Sequence, residues 1–292
     1  MLKVYSIIVC YNPEVAALLL LCRKLIYDCS LVLIIDNTES SYISRYINLP
    51  ECTVISLHKN TGIAYAQNIG IKNAIKNHAD VIVFFDQDSM IENNFLKFLL
   101  APLKAGELGV VAPVLFDNDQ GYEFPAMRLN RFGFPVKIYN RHRTLPYDVD
   151  LITSSGSAAT AATFDIIGLM DEDLFIDFVE TEWCLRCRKK NISIQVVPAA
   201  VMRHSIGEVS INFGFMRGFV HNPTRCYYQI RNCFLLFRKK RAPFLLAVKE
   251  ISSVFVHNTI LFLFAKDKIK YMRSYILAIL HGLAGVTGKM PS

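Results

Sequence analysis

Short apolar runs rich in Val, Ile, Leu and Phe recur along the first part of the chain, at 3–10, 31–36, 53–57, 81–86 and 109–115. Their length and β-branched content predict strands buried on both faces. Apolar residues at helical spacing between them predict helices over about 14–28, 62–78 and 92–104. Strands separated by such helices predict an α/β fold, a mostly parallel twisted sheet flanked by helices, with ligands beyond the carboxyl ends of the strands. Three polar groups fall at such ends: Tyr11-Asn12, Asp36-Asn37 and Asp86-Gln87-Asp88.

The pattern then changes. Residues 116–150 carry Gly121, Pro125, Gly133, Pro135 and Pro146 among charges and read as loops or a small hairpin. Strand character with a tight turn returns over 151–165, an acid-rich loop and helix over 171–190, and a strand pair over Ile192 to Val201. From about 214 to 285 the chain is aromatic, basic and helical. This divides it into a first domain, 1–213, with halves meeting near 115, and a C-terminal helical extension, 214–292.

Composition narrows the setting. The 292 residues carry a net charge of +7 and are 52% hydrophobic, with a mean hydropathy of +0.30. A basic balance points to an anionic partner. No recognised nucleic-acid module or aromatic-basic platform is present, so nucleic acid is not expected. The eight cysteines are scattered, and Cys184-x-x-Cys187 has no second pair at zinc spacing; a reduced, cytoplasmic protein is expected. The opening strand is too short for a signal peptide, and no run of 18 uncharged apolar residues suggests a spanning helix. The apolar run Pro243 to Ala265 lies between Arg238-Lys239-Lys240-Arg241 and the cations from Lys266 to Arg273. Such flanks suit an anionic membrane surface, and the same run suits packing on the first domain or a homodimer interface.

The chemistry centres on Asp86 and Asp88, two carboxylates one residue apart at the end of a buried strand. An unpaired buried charge is costly, and a divalent Mg²⁺ or Mn²⁺ ion shared with a phosphorylated ligand removes that cost. Asn60 to Gly70 follows a strand and opens a helix, with small residues at 62, 64 and 66. It reads either as a phosphate-binding helix start or as a tightly packed junction; it is neither Walker A nor G-x-G-x-x-G. Asp177, Glu180 and Glu182 cluster beside the single Trp: Glu182 pairs with Arg186 at i,i+4, and Asp177 or Glu180 is a candidate general base. His204, after a strand, is a structural hydrogen-bonder or a metal ligand with Asp88.

In this order the motifs resemble glycosyltransferase family 2 enzymes of the GT-A fold, over most of the chain. The residues that carry the resemblance are Asn60-Thr61-Gly62-Ile63-Ala64 with Asn68, Phe85-Asp86-Gln87-Asp88-Ser89, Ser155-Gly156, and Phe175-Ile176-Asp177 with Glu182-Trp183-Cys184-Leu185-Arg186. His204 and the stretch from His221-Asn222-Pro223 through Arg225, Tyr227-Tyr228 and Arg231-Asn232 complete it. Within the family the likeness runs to bacterial rhamnosyltransferases that use dTDP-L-rhamnose.

The resemblance implies a nucleotide-diphospho-sugar transferase, inverting and metal-dependent, with 1–115 binding the donor and 116–213 the acceptor. It assigns donor contacts to Tyr11, Asp36, Asn68 and Asp86, and diphosphate contacts or structural ion pairs to Arg225 and Arg231. It assigns the metal to Asp88 and His204, and the catalytic base to Glu180, with Asp177 in reserve because the family's acid is ordinarily Asp. The implied partners are a nucleotide-sugar donor, a glycan or lipid-linked glycan acceptor and the inner face of the cell membrane. UDP-galactofuranose and a UDP-N-acetylhexosamine are the next donors. A nucleotidyltransferase would need a Gly-rich basic loop after the first strand, and Tyr11-Asn12-Pro13-Glu14 offers none; an inactive sugar-binding scaffold would not need its acids.

Overall fold

A computed structural model describes residues 2–117, 121–204, 210–212, 217–219, 222–264 and 267–291; for His204, the short strands within 210–219, and residues 260, 261, 263 and 264 it describes the backbone alone. The strands are β1 (Val4–Cys10), β2 (Leu31–Asp36), β3 (Cys52–Ser56), β4 (Val81–Asp86), β5 (Met90–Ile91), β6 (Val110–Asp117) and β7 (Glu123–Phe124). They continue with β8 (Ala126–Leu129), β9 (Pro135–Ile138), β10 (Tyr147–Val149), β11 (Ala158–Thr160), β12 (Ile194–His204), β13 (Ser210–Asn212) and β14 (Arg217–Phe219). The helices are α1 (Val15–Leu25), α2 (Ile63–Lys76), α3 (Phe95–Leu99), α4 (Ala161–Ile167), α5 (Val179–Lys189), α6 (Pro223–Arg238), α7 (Phe244–Phe264) and α8 (Lys268–Ala284).

Ten strands form one sheet along the path β10-β12-β6-β11-β4-β1-β2-β3, with β5 on β12 and β7 on β6. The β4-β1-β2-β3 half is parallel, as the strand-helix alternation predicts, while β11 runs antiparallel between β4 and β6. Strand side chains point alternately to the two faces. In β1, Tyr5 and Ile7 join one core with Ala64, Ile71 and Trp183, and Val4, Ile8 and Cys10 join the other with Leu18, Leu25 and Phe95. That is why the run is apolar at every position but Ser6, which is buried as well. Cys184 and Cys187 belong to the first core as ordinary buried side chains, and all eight cysteines are free thiols.

Three sequence expectations need correction. The helix expected over 92–104 shrinks to α3, because its missing N–H makes Pro102 a poor continuation. The strand pair expected over 192–201 is one strand, β12, whose register on β6 slips between Val197 and Val201; Pro198 sits in that bulge. The strand expected over 151–165 is a turn followed by short β11 and then α4. The C-terminal helices begin at Pro223, where Asn222 caps α6 by accepting from the Arg225 N–H at 2.9 Å. His221 lies outside the described residues.

α8 runs beside α6 in the same direction, from Cys226 near Tyr271 to Arg238 near Leu283. α7 lies against both, through Phe255 on Phe234 and Asn258 on Tyr275. Among the described residues no helix is long and apolar enough to cross a membrane.

Candidate active site

The carboxyl ends of β1, β2 and β4 are level, with Cys10 opposite Asp36 and Val9 opposite Asp86. Tyr11 is half exposed at this edge. Its N–H donates to Gln87 Oε1 at 2.8 Å, and Gln87 Nε2 returns a bond to its carbonyl at 3.3 Å. Asp36 is fully buried and accepts from the Thr38 N–H at 3.1 Å and from the Ser41 hydroxyl. It therefore shapes the loop after β2. Asn37, beside it, accepts from Thr61 N–H at 2.8 Å and Thr61 Oγ1 at 2.9 Å, tying that loop to the start of α2.

The two readings of that helix start are now separable. The Ile63 N–H donates to the Phe175 carbonyl at 2.7 Å, so an internal acceptor occupies the end an anion would use. Gly62 has φ +83°, and a Cβ there would stand 2.5 Å from the same carbonyl. The junction is a packing joint. Gly62→Ala is expected to lower the melting temperature by several degrees, since neither the φ nor the contact tolerates a methyl. Asn68 is also committed: it donates to Met170 O at 3.0 Å and Glu172 Oε1 at 2.8 Å, and accepts from the Met170 N–H at 2.9 Å. Its amide clasps the 170–172 turn.

Asp86 and Asp88 occupy a turn closed by Ser89 N–H to Asp86 O at 3.1 Å. The Ser89 and Ser155 hydroxyls meet at 2.9 Å and both lie within bonding distance of the Asp86 N–H, docking the turn on the Ser154–Ser157 loop. Asp86 is half-buried and Asp88 exposed. β5 pairs with β12 with Arg203 opposite Met90, so the next residue, His204, ends its strand beside Ser89. Only its backbone is placed.

The acids of 177–182 separate. Glu182 is fully buried and paired with Arg186 at 2.8 Å as the i,i+4 spacing predicts; Arg186 also donates to Ile167 and Leu169 carbonyls. Asp177 meets Arg225 at 3.3 Å. Glu180, at the start of α5, is pushed up to about 7, first by burial and then by the charges of Asp177 and Asp86; its backbone and Arg225 oppose the rise. A carboxyl held there is a base poised near neutral pH. It opens on two cavities. One, of about 220 Å³, is mostly apolar, with Phe124, Met127 and Tyr147; the other, of about 300 Å³, adds Asp177, Gln229, Ser253 and His257. Gln229, Ser253 and His257 are not among the site candidates that the motifs in the chain offered.

Arg231 does not join this group. It has no exposed surface, and its guanidinium donates to Gly288 O at 2.6 Å, Leu174 O at 3.0 Å and Asn232 Oδ1 at 2.8 and 3.0 Å. Asn232 in turn donates to the carbonyls of Leu174, Ile176 and Asp177. The Phe175 ring stacks on Tyr228 at 4.8 Å. Phe175, Asp177 and Phe178 all have positive φ, a costly backbone that persists only where its surroundings over-determine it. The α6 motif is that surrounding: it clamps the segment that aims Asp177 and Glu180. Arg225 alone of the two arginines reaches the cavity residues.

The sequence profile described as Glycosyl transferase family 2 matches residues 6–162. The chain is 37% identical over 287 residues to the dTDP-rhamnosyl transferase RfbF of Shigella flexneri, covering 98% of this chain and 97% of that protein. Among solved structures it is similar to Staphylococcus aureus TarS 1–349 in complex with UDP-GlcNAc, with TM-score 0.57 and 18% identity over 97% of this chain and 81% of that one. It is also similar to GalNAc-T7 with UDP, GalNAc and Mn²⁺, with TM-score 0.59 and 17% identity over 70% of this chain and 44% of that one.

Proposed function

This chain belongs to glycosyltransferase family 2, and we propose that it transfers L-rhamnose from dTDP-rhamnose, with inversion, to a glycan or lipid-linked glycan of a bacterial surface polysaccharide. The observation that carries the chemistry is Glu180, a carboxyl pushed up to about 7 at the meeting of two cavities and within the field of Asp86. The near full-length similarity to a dTDP-rhamnosyl transferase supports the donor.

In this reading Tyr11, Asp36 and Asn68 belong to the nucleoside side, with Asp36 and Asn68 acting through the loops they hold. Glu180 takes the proton of the acceptor hydroxyl as its oxygen bonds the anomeric carbon. The bond from that carbon to the diphosphate oxygen breaks, and dTDP leaves with the electron pair. Arg225 stands beside Asp177 to receive the diphosphate charge. The acceptor suits the cavity of Gln229, Ser253 and His257, because sugar hydroxyls need polar partners. A lipid-linked acceptor brings the enzyme to the inner face of the cell membrane.

Among the described residues no three His, Cys, Asp or Glu side chains gather as a metal site. Two carboxylates in an open turn nevertheless fit a hard cation that takes its remaining oxygens from diphosphate and water. Asp88, with His204 at the adjoining strand end, would hold Mg²⁺ or Mn²⁺, and Asp86 would face the donor. Such an ion supplies positive charge against the leaving diphosphate.

Thermal shift with dTDP-rhamnose, UDP-galactofuranose and UDP-N-acetylglucosamine, with and without Mn²⁺, tests this. A Mn²⁺-dependent shift selective for dTDP-rhamnose is expected. Asp88→Ala should melt normally without nucleotide, lose the Mn²⁺-dependent shift and lose transfer by about a hundredfold or more. A shift with a UDP-sugar alone would change the donor; wild-type turnover in Asp88→Ala would remove the metal role.

A further inference from the structure

Helix α8 is apolar on the wrong side for a helix that only packs inward. Tyr271, Ser274, Ala278 and Gly282 are buried against its neighbours, whereas Ile269, Met272, Ile276, Leu280 and Leu283 are between 48% and 78% exposed. At the helical period these five fall within an arc of about 80°, opposite the buried face. The helix cannot roll to hide them. A Cβ on Gly282 would stand 2.8 Å from Phe234, and Tyr227 Oη bonds His281 Nδ1 at 2.8 Å, so the inner face is seated on α6.

Charge identifies what covers the stripe. Lys268 lies on one border and Arg273 and Lys270 on the other, all exposed. Arg238 reaches the far end, donating to Leu283 O at 2.7 Å. No Asp or Glu occurs between Lys268 and Ala284; Asp267, just before the helix, pairs with Lys270 at 3.0 Å. A second copy pairing through this stripe would bring basic borders together without acids to answer them. Anionic headgroups would neutralise both borders while the five side chains enter the headgroup–acyl boundary.

We propose that α8 lies along the surface of a bilayer containing anionic phospholipid, with Ile269, Met272, Ile276, Leu280 and Leu283 inserted and Lys268, Lys270, Arg273 and Arg238 on the headgroups. The contact is interfacial, since no described helix can span. The apolar run that suits a membrane surface, packing or a homodimer interface lies largely on α7, one helix upstream; α7 spends Leu246, Ala247 and Asn258 on packing.

Flotation of the full chain with vesicles tests this, using phosphatidylcholine alone or phosphatidylcholine with phosphatidylglycerol at three to one. The wild type is expected to float with the anionic vesicles at least tenfold more than with the neutral ones, and to be released by 0.5 M salt. Ile276→Glu with Leu280→Glu should abolish flotation, and Lys268→Glu with Arg273→Glu should reduce it to the neutral-vesicle level, with unchanged circular dichroism and melting. Equal flotation of the wild type and the Ile276→Glu, Leu280→Glu variant would overturn the proposal, as would no binding to anionic vesicles. A wild-type dimer in sedimentation that this variant dissociates would assign the stripe to a second copy and overturn it as well. Vesicle binding is read without donor or acceptor, so its failure and failure of the transfer reading are separable.

Discussion

Glu180→Gln is expected to cut transfer by roughly 10²- to 10⁴-fold, the usual worth of a positioned base, while dTDP-rhamnose still binds. Gln keeps the shape and cannot accept the proton. Wild-type kcat/KM should rise with pH through about 7, where Glu180 ionises, falling about tenfold per unit below it. The same carboxyl makes a second, independent prediction. Its folded value lies above the ordinary 4.5, so the stability it contributes is complete below 4.5 and is lost as pH rises through about 7. The Gln variant does not ionise and keeps that stability. Its melting temperature should exceed the wild type's at pH 8, by up to about 3 kcal/mol in stability, with the gap closing toward pH 5. Unchanged turnover would move the base to Asp177. Unchanged melting at both pH values would mean that water reaches the carboxylate and that burial does not set its pKa.

The second large effect is on folding. Arg231→Met is expected to destabilise the chain by roughly 3–5 kcal/mol, because it takes the guanidinium's bonds from the buried Asn232 Oδ1, the buried Leu174 carbonyl and the half-buried Gly288 carbonyl. For a domain of this size that is a fall of about 10 °C in melting temperature. Arg231→Lys should rescue little: an ammonium cannot span carbonyls on two segments as the planar guanidinium does. Because the clamp also holds the positive-φ turn at Phe175, Asp177 and Phe178, transfer should fall before the fold melts. Near-normal stability with lost donor binding would instead return Arg231 to the diphosphate.

The parallel half of the sheet was legible because buried strands need unbroken apolar runs, and Asp36 and Asp86 stand out where such runs stop. The pair Glu182–Arg186 was legible for the same local reason, one turn of helix. The proposed base, Glu180, could not be told from Asp177 in the chain. That choice rests first on burial and then on carboxylate charge, of which Asp86 on β4 arrives from 94 residues away and leaves no periodic trace. Arg231 and Arg225 look alike in one motif, yet six positions along α6 turn one inward to backbone carbonyls and the other to Asp177. The start of α2 looked open until the Phe175 carbonyl closed it from more than a hundred residues downstream. Local pattern thus sets which segments fold as strand or helix and where polar groups end them. Which of those groups meets solvent, a cavity or a buried partner is set by contacts between distant segments, and desolvation there decides whether a carboxylate or guanidinium does chemistry or holds the fold.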